Sequence, residues 1–463
     1  MNSMSVNNRI KILLFLISAI YSLLDEGNIY LPMVSNFTLE HSQNVVNNKN
    51  YYTIPLKIGT PEEEFNLQVD TSTSTTWVPS SKCTNCFQAK RLYEEEDSRT
   101  SSPTNSLIKI EDEDGNVAGY EISDNVKLGE YKLKQYSFIQ VTKLADDFKD
   151  HYEGKLGLGF RSHLDNKEFN FLEKLKKNNL IFKKIFSLNA INDKRGMLLI
   201  GDLPGKQYKT YCNVTTDVKD VDDLYKESWI CHLTHVGIFD QKKGISQKIK
   251  NYYELEKNTL VNFDSAYDFI GVPISEKENI EKFLKKADLK CTAAKKKFID
   301  KNRKDQSLRN RIREEEMTIT CKTNEKELKE KKLVLSFVLQ GYVYSLPLNL
   351  LFEKGKKDGE MDMLIKYIDD DAAIWTFGYP FINQFLMIFN MEDNHVGIKK
   401  LKKTALPIVN LYQDWIMWKE YKGNEYPWIK IVGIGVAIFV LIILIFFCYR
   451  CIRRKTAGNL VEG

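Results

Sequence analysis

From residue 51 onward the chain alternates short apolar or alternating runs with turn residues. Tyr52-Thr-Ile-Pro-Leu-Lys-Ile is followed by Gly59-Thr-Pro and then by Phe65-Asn-Leu-Gln-Val. Such runs, rich in β-branched and aromatic residues and bounded by Gly and Pro, read as strands. The same signature recurs at Val126-Lys-Leu, Met197-Leu-Leu-Ile, Leu333-Val-Leu-Ser-Phe-Val-Leu and Phe385-Leu-Met-Ile-Phe. Residues 169–178 read as a helical interlude. Frequent short strands with few long helices predict an all-β architecture.

Two apolar runs have another character. Arg9 and Lys11 precede residues 12–24, which are apolar, and Asp25 closes the run. Its length is short for a membrane span and its usual meaning is a secretory signal peptide (1–24), with an uncleaved anchor as the alternative. Residues 431–447 form a longer uninterrupted apolar run, followed at once by Arg450, Arg453, Arg454 and Lys455. The length predicts a transmembrane helix over 430–449. The basic residues place the tail, 450–463, in the cytosol and the rest in the lumen or outside. Trp415, Trp418 and Trp428 precede the span, as interfacial aromatics do. The expectation is a single-pass type I protein of the secretory pathway, in the endoplasmic reticulum, a secretory organelle or the cell surface.

Composition narrows this further. A chain of 463 residues suits two lobes plus extras. Its 67 basic and 62 acidic residues leave a net charge of +5, which argues against a nucleic-acid partner. Residues 294–316 are dense in Lys and Arg and close on Glu314-Glu-Glu. They read as a solvated insertion, helical or disordered, with a charged face favoured over a binding patch. Residues 401–429 read as a stalk that docks on the lobe or on lipid. Cys83 and Cys86 are near neighbours, Cys212 and Cys231 more loosely so, and Cys291 and Cys321 bracket the charged segment. All six fall on the lumenal side, where disulfides are expected. Cys448 and Cys451, at the cytosolic membrane edge, are palmitoylation candidates or ordinary thiols. Asn36-Phe-Thr and Asn213-Val-Thr are glycosylation acceptors.

The candidate chemistry lies in two like segments. One runs Val69-Asp70-Thr71-Ser72-Thr73-Ser74-Thr75-Thr76-Trp77-Val78-Pro79; the other runs Phe263-Asp264-Ser265-Ala266 and on to Pro273. Each places an Asp after an apolar strand, then a hydroxyl residue, then a small one, with Pro nine positions after the Asp. The first resembles the Asp-Thr-Gly-Ser-Ser-x-x-Trp-Val-Pro motif of pepsin-like aspartic peptidases, with the plasmepsins as nearer kin. Ile58-Gly-Thr-Pro, Leu156-Gly-Leu-Gly-Phe160, Ile185-Phe-Ser-Leu with Gly196-Met-Leu-Leu-Ile-Gly201, and Trp375-Thr-Phe-Gly378 through His395-Val-Gly397 fit the same family in order and spacing.

The resemblance implies a bilobal pepsin-like fold, with lobes over 51–210 and 211–400, and a disulfide between Cys291 and Cys321. It implies catalysis by Asp70 and Asp264, supported by Thr71, Thr73 and Ser265. Two close carboxylates share one proton, so one activates water and the other donates to the substrate carbonyl, with activity at acidic pH. Thr71 and Ser265 are expected to lock the loops together, and Thr73 to donate toward Asp70. No metal or other cofactor is implied; the expected partner is a peptide or protein substrate or ligand, and the chain is expected to be a monomer.

The pattern also breaks. Ser72 and Ala266 stand where the family has Gly, and their Cβ atoms crowd the place where substrate backbone would approach. Tyr267 and Tyr379 replace a hydroxyl donor and an Asp. In the flap, counting back from Gly119 through Gly115 puts Asp112 where the family has a tyrosine that pairs with the tryptophan kept here as Trp77. Losing one positioned donor typically costs about 10²–10³ in rate. The acidic run Glu111-Asp112-Glu113-Asp114 disfavours dyad ionisation or selects basic substrates, or is merely solvated. Two readings follow: an aspartic endopeptidase with unusual specificity or low turnover, or a pseudopeptidase that binds without cutting. The segment 25–50 is short for a prosegment, although Lys49 is placed to block the dyad, so at most a partial zymogen stage is expected.

Overall fold

The structure, a computed structural model, describes residues 29–35 and 51–410. Interior stretches 87–88, 113–114, 130, 145–152, 162–168, 193–194, 202–207, 216–224, 226, 241–251, 257–258, 296–316, 369–373 and 402–407 are excepted. The expected signal peptide, Asn36, Lys49, nearly all of the charged insertion, most of the stalk, the span at 430–449 and the tail with Cys448 and Cys451 lie outside the described residues. Among those described, no helix is long and apolar enough to cross a membrane. Residues up to 408 form one unit; the second, 409–463, contributes the short strand Val409–Asn410 to the description.

The anticipated runs are strands. In the first half they are β1 Ile29–Ser35, β2 Tyr52–Ile58, β3 Glu63–Asp70, β4 Trp77–Pro79, β5 Ser102–Asp112, β6 Gly115–Leu128, β7 Tyr131–Lys143, β8 Lys155–Gly157, β9 Ile185–Asn192, β10 Arg195–Ile200 and β11 Tyr211–Asn213. In the second half they are β12 Ile230–Asp240, β13 Tyr252–Glu254, β14 Leu260–Phe263, β15 Ile270–Pro273, β16 Cys291–Lys295, β17 Met317–Lys322, β18 Leu333–Leu339, β19 Tyr342–Pro347, β20 Phe352–Lys354, β21 Glu360–Ile368, β22 Trp375–Phe377, β23 Phe385–Asn390 and β24 His395–Lys400. One sheet has thirteen strands in the order β11-β24-β23-β9-β10-β1-β2-β3-β8-β4-β7-β6-β5. The second runs β16-β17-β21-β15-β22-β14-β12-β18-β19, with β13 on β12 and β20 on β21. The first sheet therefore joins β23 and β24, from late in the chain, to its first half.

Strand position follows from burial pattern. All seven residues of β18 are buried, which suits its place between β12 and β19 with both faces covered. The anticipated helical interlude is a helix at Phe171–Lys177. Asn170 caps it by accepting from Glu173 N–H, and Phe171, Leu172 and Leu175 are buried. Helices at Lys277–Lys286 and Glu325–Lys331 were not anticipated. The first buries only Ile280, Phe283 and Leu284, a narrow stripe in a Lys- and Glu-rich stretch. Disulfides join Cys83 to Cys86, Cys212 to Cys231, and Cys291 to Cys321. The last pair closes the β16–β17 hairpin at its base, where the two residues are register partners.

An aromatic cluster ties the first sheet to the second. Trp229, just before β12, is fully buried and donates its indole N–H to Leu158 O at 2.9 Å. Its ring packs against Phe160, Phe186 and Phe389 with centroids 4.9, 5.8 and 5.1 Å away. Trp229→Ala should lower the unfolding free energy by about 3–5 kcal/mol in urea titration. A loss below about 1 kcal/mol would show that this cluster is not the joint described.

Candidate active site

The two aspartates sit on equivalent pieces of backbone. Asp70 ends β3, which pairs in parallel with β8, and β8 in turn lies antiparallel to β4. Asp264 follows β14, which pairs in parallel with β22, and β22 lies antiparallel to β15. Each acidic loop thus passes from one strand to another around a short third strand that ends in glycine or just before one. Both glycines are required by space. A Cβ on Gly157 would lie 2.4 Å from Ser74 C, and one on Gly378 would lie 2.2 Å from Phe269 O. The close approach keeps each loop seated on its crossing strand, with Leu158 N–H donating to Asp70 O and Asp264 N–H to Phe377 O.

The loops interlock as expected. Thr71 Oγ1 donates to Phe263 O at 2.7 Å and accepts from Ser265 N–H at 3.0 Å. Ser265 Oγ donates to Val69 O at 2.7 Å. All of these groups are buried. Behind the first loop, the Tyr136 hydroxyl lies 2.8 Å from both Thr76 Oγ1 and Phe169 O, and Thr76 Oγ1 accepts from Gly157 N–H. Burial pushes the Tyr136 phenol far up, so it stays a protonated donor.

The carboxylates are held by backbone, and Ser72 and Ala266 leave that intact. Asp264 Oδ1 accepts from Ala266 N–H at 2.9 Å, and Asp70 Oδ1 accepts from Ser72 N–H at 2.8 Å. Ser72 adds its own hydroxyl to Asp70 Oδ1 at 2.7 Å, a donor that glycine could not supply. The expected role of Thr73 is corrected. Its hydroxyl donates to Glu227 Oε2 at 2.9 Å, and what it offers Asp70 is its backbone N–H at 3.4 Å. Glu227 also accepts from Ser74 N–H at 2.6 Å, so a buried charged acceptor draws the hydroxyl away while Ser72 fills its place.

Lys155 is the residue that sequence reasoning missed. It opens β8 in register with Gln68 of β3, two positions before Asp70. Side chains two apart share a strand face, and registered partners share it too, so Lys155 rises on the face of Asp70 and its stem reaches along β3. Its Nζ lies 3.1 Å from Asp70 Oδ2, with both side chains 0% exposed. The available signal was a lysine directly preceding Leu156-Gly-Leu-Gly-Phe160, the segment expected behind the dyad loop. Glu227 had no comparable signal.

Other expected residues are placed as follows. Trp77 is buried in a cluster with Ile110, Val117, Ile139 and Val141, against the β5–β6 hairpin. Asp112 ends β5 opposite Gly115, at the tip of that hairpin; Glu113 and Asp114 lie outside the described residues. Asn213 is exposed at the end of β11. The six cysteines lie in their three bridges; Cys231, on β12, is the register partner of Val261 on β14, the strand that leads into Asp264.

The family model for eukaryotic aspartyl proteases matches residues 51–401. Procardosin-A of Cynara cardunculus is 32% identical over 198 residues, 40% of this chain and 37% of that protein. Plasmepsin IV of Plasmodium falciparum is 32% identical over 161 residues, 33% of this chain and 35% of that protein. Pepsin II-2/3 of Oryctolagus cuniculus is 22% identical over 378 residues, 80% of this chain and 86% of that protein. The chain thus spans little more than a third of the length of the first two relatives.

The interlock makes a direct prediction. Thr71→Val leaves Ser265 N–H and Phe263 O buried without their partner, at about 1–3 kcal/mol for each orphaned group. Thr71→Ser keeps the hydroxyl and should stay within about 1 kcal/mol of the parent. Equal stability of the Val and Ser variants in thermal unfolding would contradict the interlock.

Proposed function

This chain belongs to the eukaryotic aspartyl protease family, and on that premise we propose that it is an endopeptidase whose dyad is Asp70 and Asp264. The observation that carries this reading is the pair of like loops, each presenting one buried carboxylate held by backbone N–H and locked to the other through Thr71 and Ser265. A carboxylate takes a proton from water as its oxygen attacks the peptide carbonyl carbon. The protonated partner gives its proton to the carbonyl oxygen, forming a gem-diol. On collapse the C–N bond breaks, the proton taken from water passes to the departing nitrogen, and a gem-diol hydroxyl returns its proton to the other carboxylate. Products are a carboxylic acid and an amine, and the dyad ends in its starting state.

Specificity in this proposal is atypical and turnover low. The Cβ atoms of Ser72 and Ala266 narrow the space over the carboxylates, and Asp112 stands where the family's flap tyrosine would donate. The protein is anchored through residues 430–449, with its catalytic part in the lumen of the secretory pathway or outside the cell. Its partner is a peptide or protein chain, Asn213 carries a glycan, and the chain acts as a monomer without a cofactor.

A second reading is a pseudopeptidase that binds peptide over the same two carboxylates without cutting it. The specific observation in its favour is the Lys155 ammonium against Asp70. A diverse peptide library incubated with the full-length protein over about pH 4 to 7, beside an Asp70→Ala, Asp264→Ala double variant, separates the two. Products formed by the parent alone and suppressed by a pepstatin-type inhibitor are expected. Equal product from both proteins, with both folded, would contradict peptidase activity and leave the binding reading.

A further inference from the structure

A scheme of two carboxylates and one water has no part for a buried ammonium. We propose that Lys155 is a positioning residue that holds Asp70 as the carboxylate and so assigns the dyad's single proton to Asp264. The inference rests on the dyad reading above for the roles of the two aspartates. It makes Asp70 the group that accepts the water proton and Asp264 the group that donates to the carbonyl oxygen.

Four contacts on Asp70 favour its ion. Oδ1 accepts from Ser72 N–H, Ser72 Oγ and Thr73 N–H at 2.8, 2.7 and 3.4 Å, and Oδ2 faces Lys155 Nζ at 3.1 Å. Hydrogen bonds and an opposite charge at such range stabilise a carboxylate over its acid. The surrounding charges make the ammonium necessary rather than incidental. Asp264 stands on the interlocked loop, and Glu227, ahead of β12, places a third carboxylate one side chain away, accepting from Thr73 Oγ1 and Ser74 N–H. Nearby phenols are Tyr136, whose hydroxyl meets Thr76, and Tyr267 and Tyr379 along the second loop, where Tyr379 N–H donates to Tyr267 O. Asp268 follows Tyr267 in sequence. Asp70, Asp264 and Glu227 are all buried, and the buried ammonium of Lys155 meets Asp70.

Two near-equivalent carboxylates would share their proton with no preferred site. The ammonium at Asp70 Oδ2 and the Ser72 hydroxyl at Asp70 Oδ1 remove that equivalence in favour of an ionised Asp70. It also favours loss of the shared proton, since a cation stabilises the doubly ionised dyad. Removing the cation should therefore raise the pH at which the shared proton leaves. In a neutral variant that proton is held by repulsion between uncompensated carboxylates. Its stabilising contribution is then present at low pH and lost as pH rises through its release.

The test compares the full-length protein with Lys155→Met and Lys155→Arg in thermal unfolding at pH 4, 5, 6 and 7. Parent and Arg variant should run parallel. The Met variant should fall progressively below the parent toward pH 7, by about 1–2 °C for each unit by which release of the shared proton is displaced. A gap that is constant with pH would overturn the proposal, because a purely structural lysine gives no pH-dependent gap. Should the Met variant not fold, Lys155→Gln is read in the same way. Peptide-library cleavage by the same proteins separates this failure from failure of the peptidase reading. The alkaline limb of activity should lie at higher pH for Lys155→Met than for the parent, and coincident limbs would again overturn the role of Lys155. No products from any variant at any pH would sink the peptidase reading while the unfolding series still decides the charge assignment.

Discussion

Two buried hydroxyls decide the geometry on which everything else in this protein depends. Thr71 and Ser265 each reach across to the backbone of the opposite loop, so neither acidic loop can shift without breaking a bond in the other. Being buried, these bonds lack a competing solvent, and loss of either hydroxyl strands polar backbone groups. The interlock fixes where two carboxylates stand relative to one another, and the crossing strands β8 and β22 fix it from behind. Gly157 and Gly378 are the points where that support comes too close for any side chain.

The charge arrangement follows from the same packing. Because β8 is wedged between β3 and β4, a lysine at its first position has nowhere to go but along the face of Asp70. An isolated ammonium there would be costly, and an isolated carboxylate likewise, so the pair persists because each compensates the other. Ser72 extends the same logic: where glycine would leave Asp70 Oδ1 to backbone alone, a hydroxyl adds a donor to the ionised form. Glu227 moves in the opposite sense, taking Thr73 away from Asp70 and adding negative charge nearby. The site keeps the positions of its family while redistributing which side chains hold which oxygen.

Much of this was legible in the chain. The two Asp loops, their hydroxyl neighbours and the strand runs at Tyr52, Phe65, Leu333 and Phe385 carry local signatures, because strands and their turns are written in adjacent residues. The three cysteine bridges were nearly as plain, since two of the pairs are close in sequence. The Lys- and Glu-rich helices at Lys277–Lys286 and Glu325–Lys331 escaped because each carries only a narrow apolar stripe or a single buried leucine. Lys155 and the new partner of Thr73 escaped for a different reason. Their meaning depends on strand register and on Glu227, far away in sequence, neither of which local pattern reveals.

The most direct measurement is carbon-13 NMR of protein labelled at the aspartate side-chain carboxyl carbons, with the two site resonances assigned by comparison with Asp70→Asn and Asp264→Asn. The Asp70 carbon should keep the shift of a carboxylate from about pH 4 to 7 while the Asp264 carbon reports the site's proton and its release. If the two carbons instead titrate together as equal holders of one proton, Lys155 does not break the symmetry of the pair and the assignment of roles is wrong.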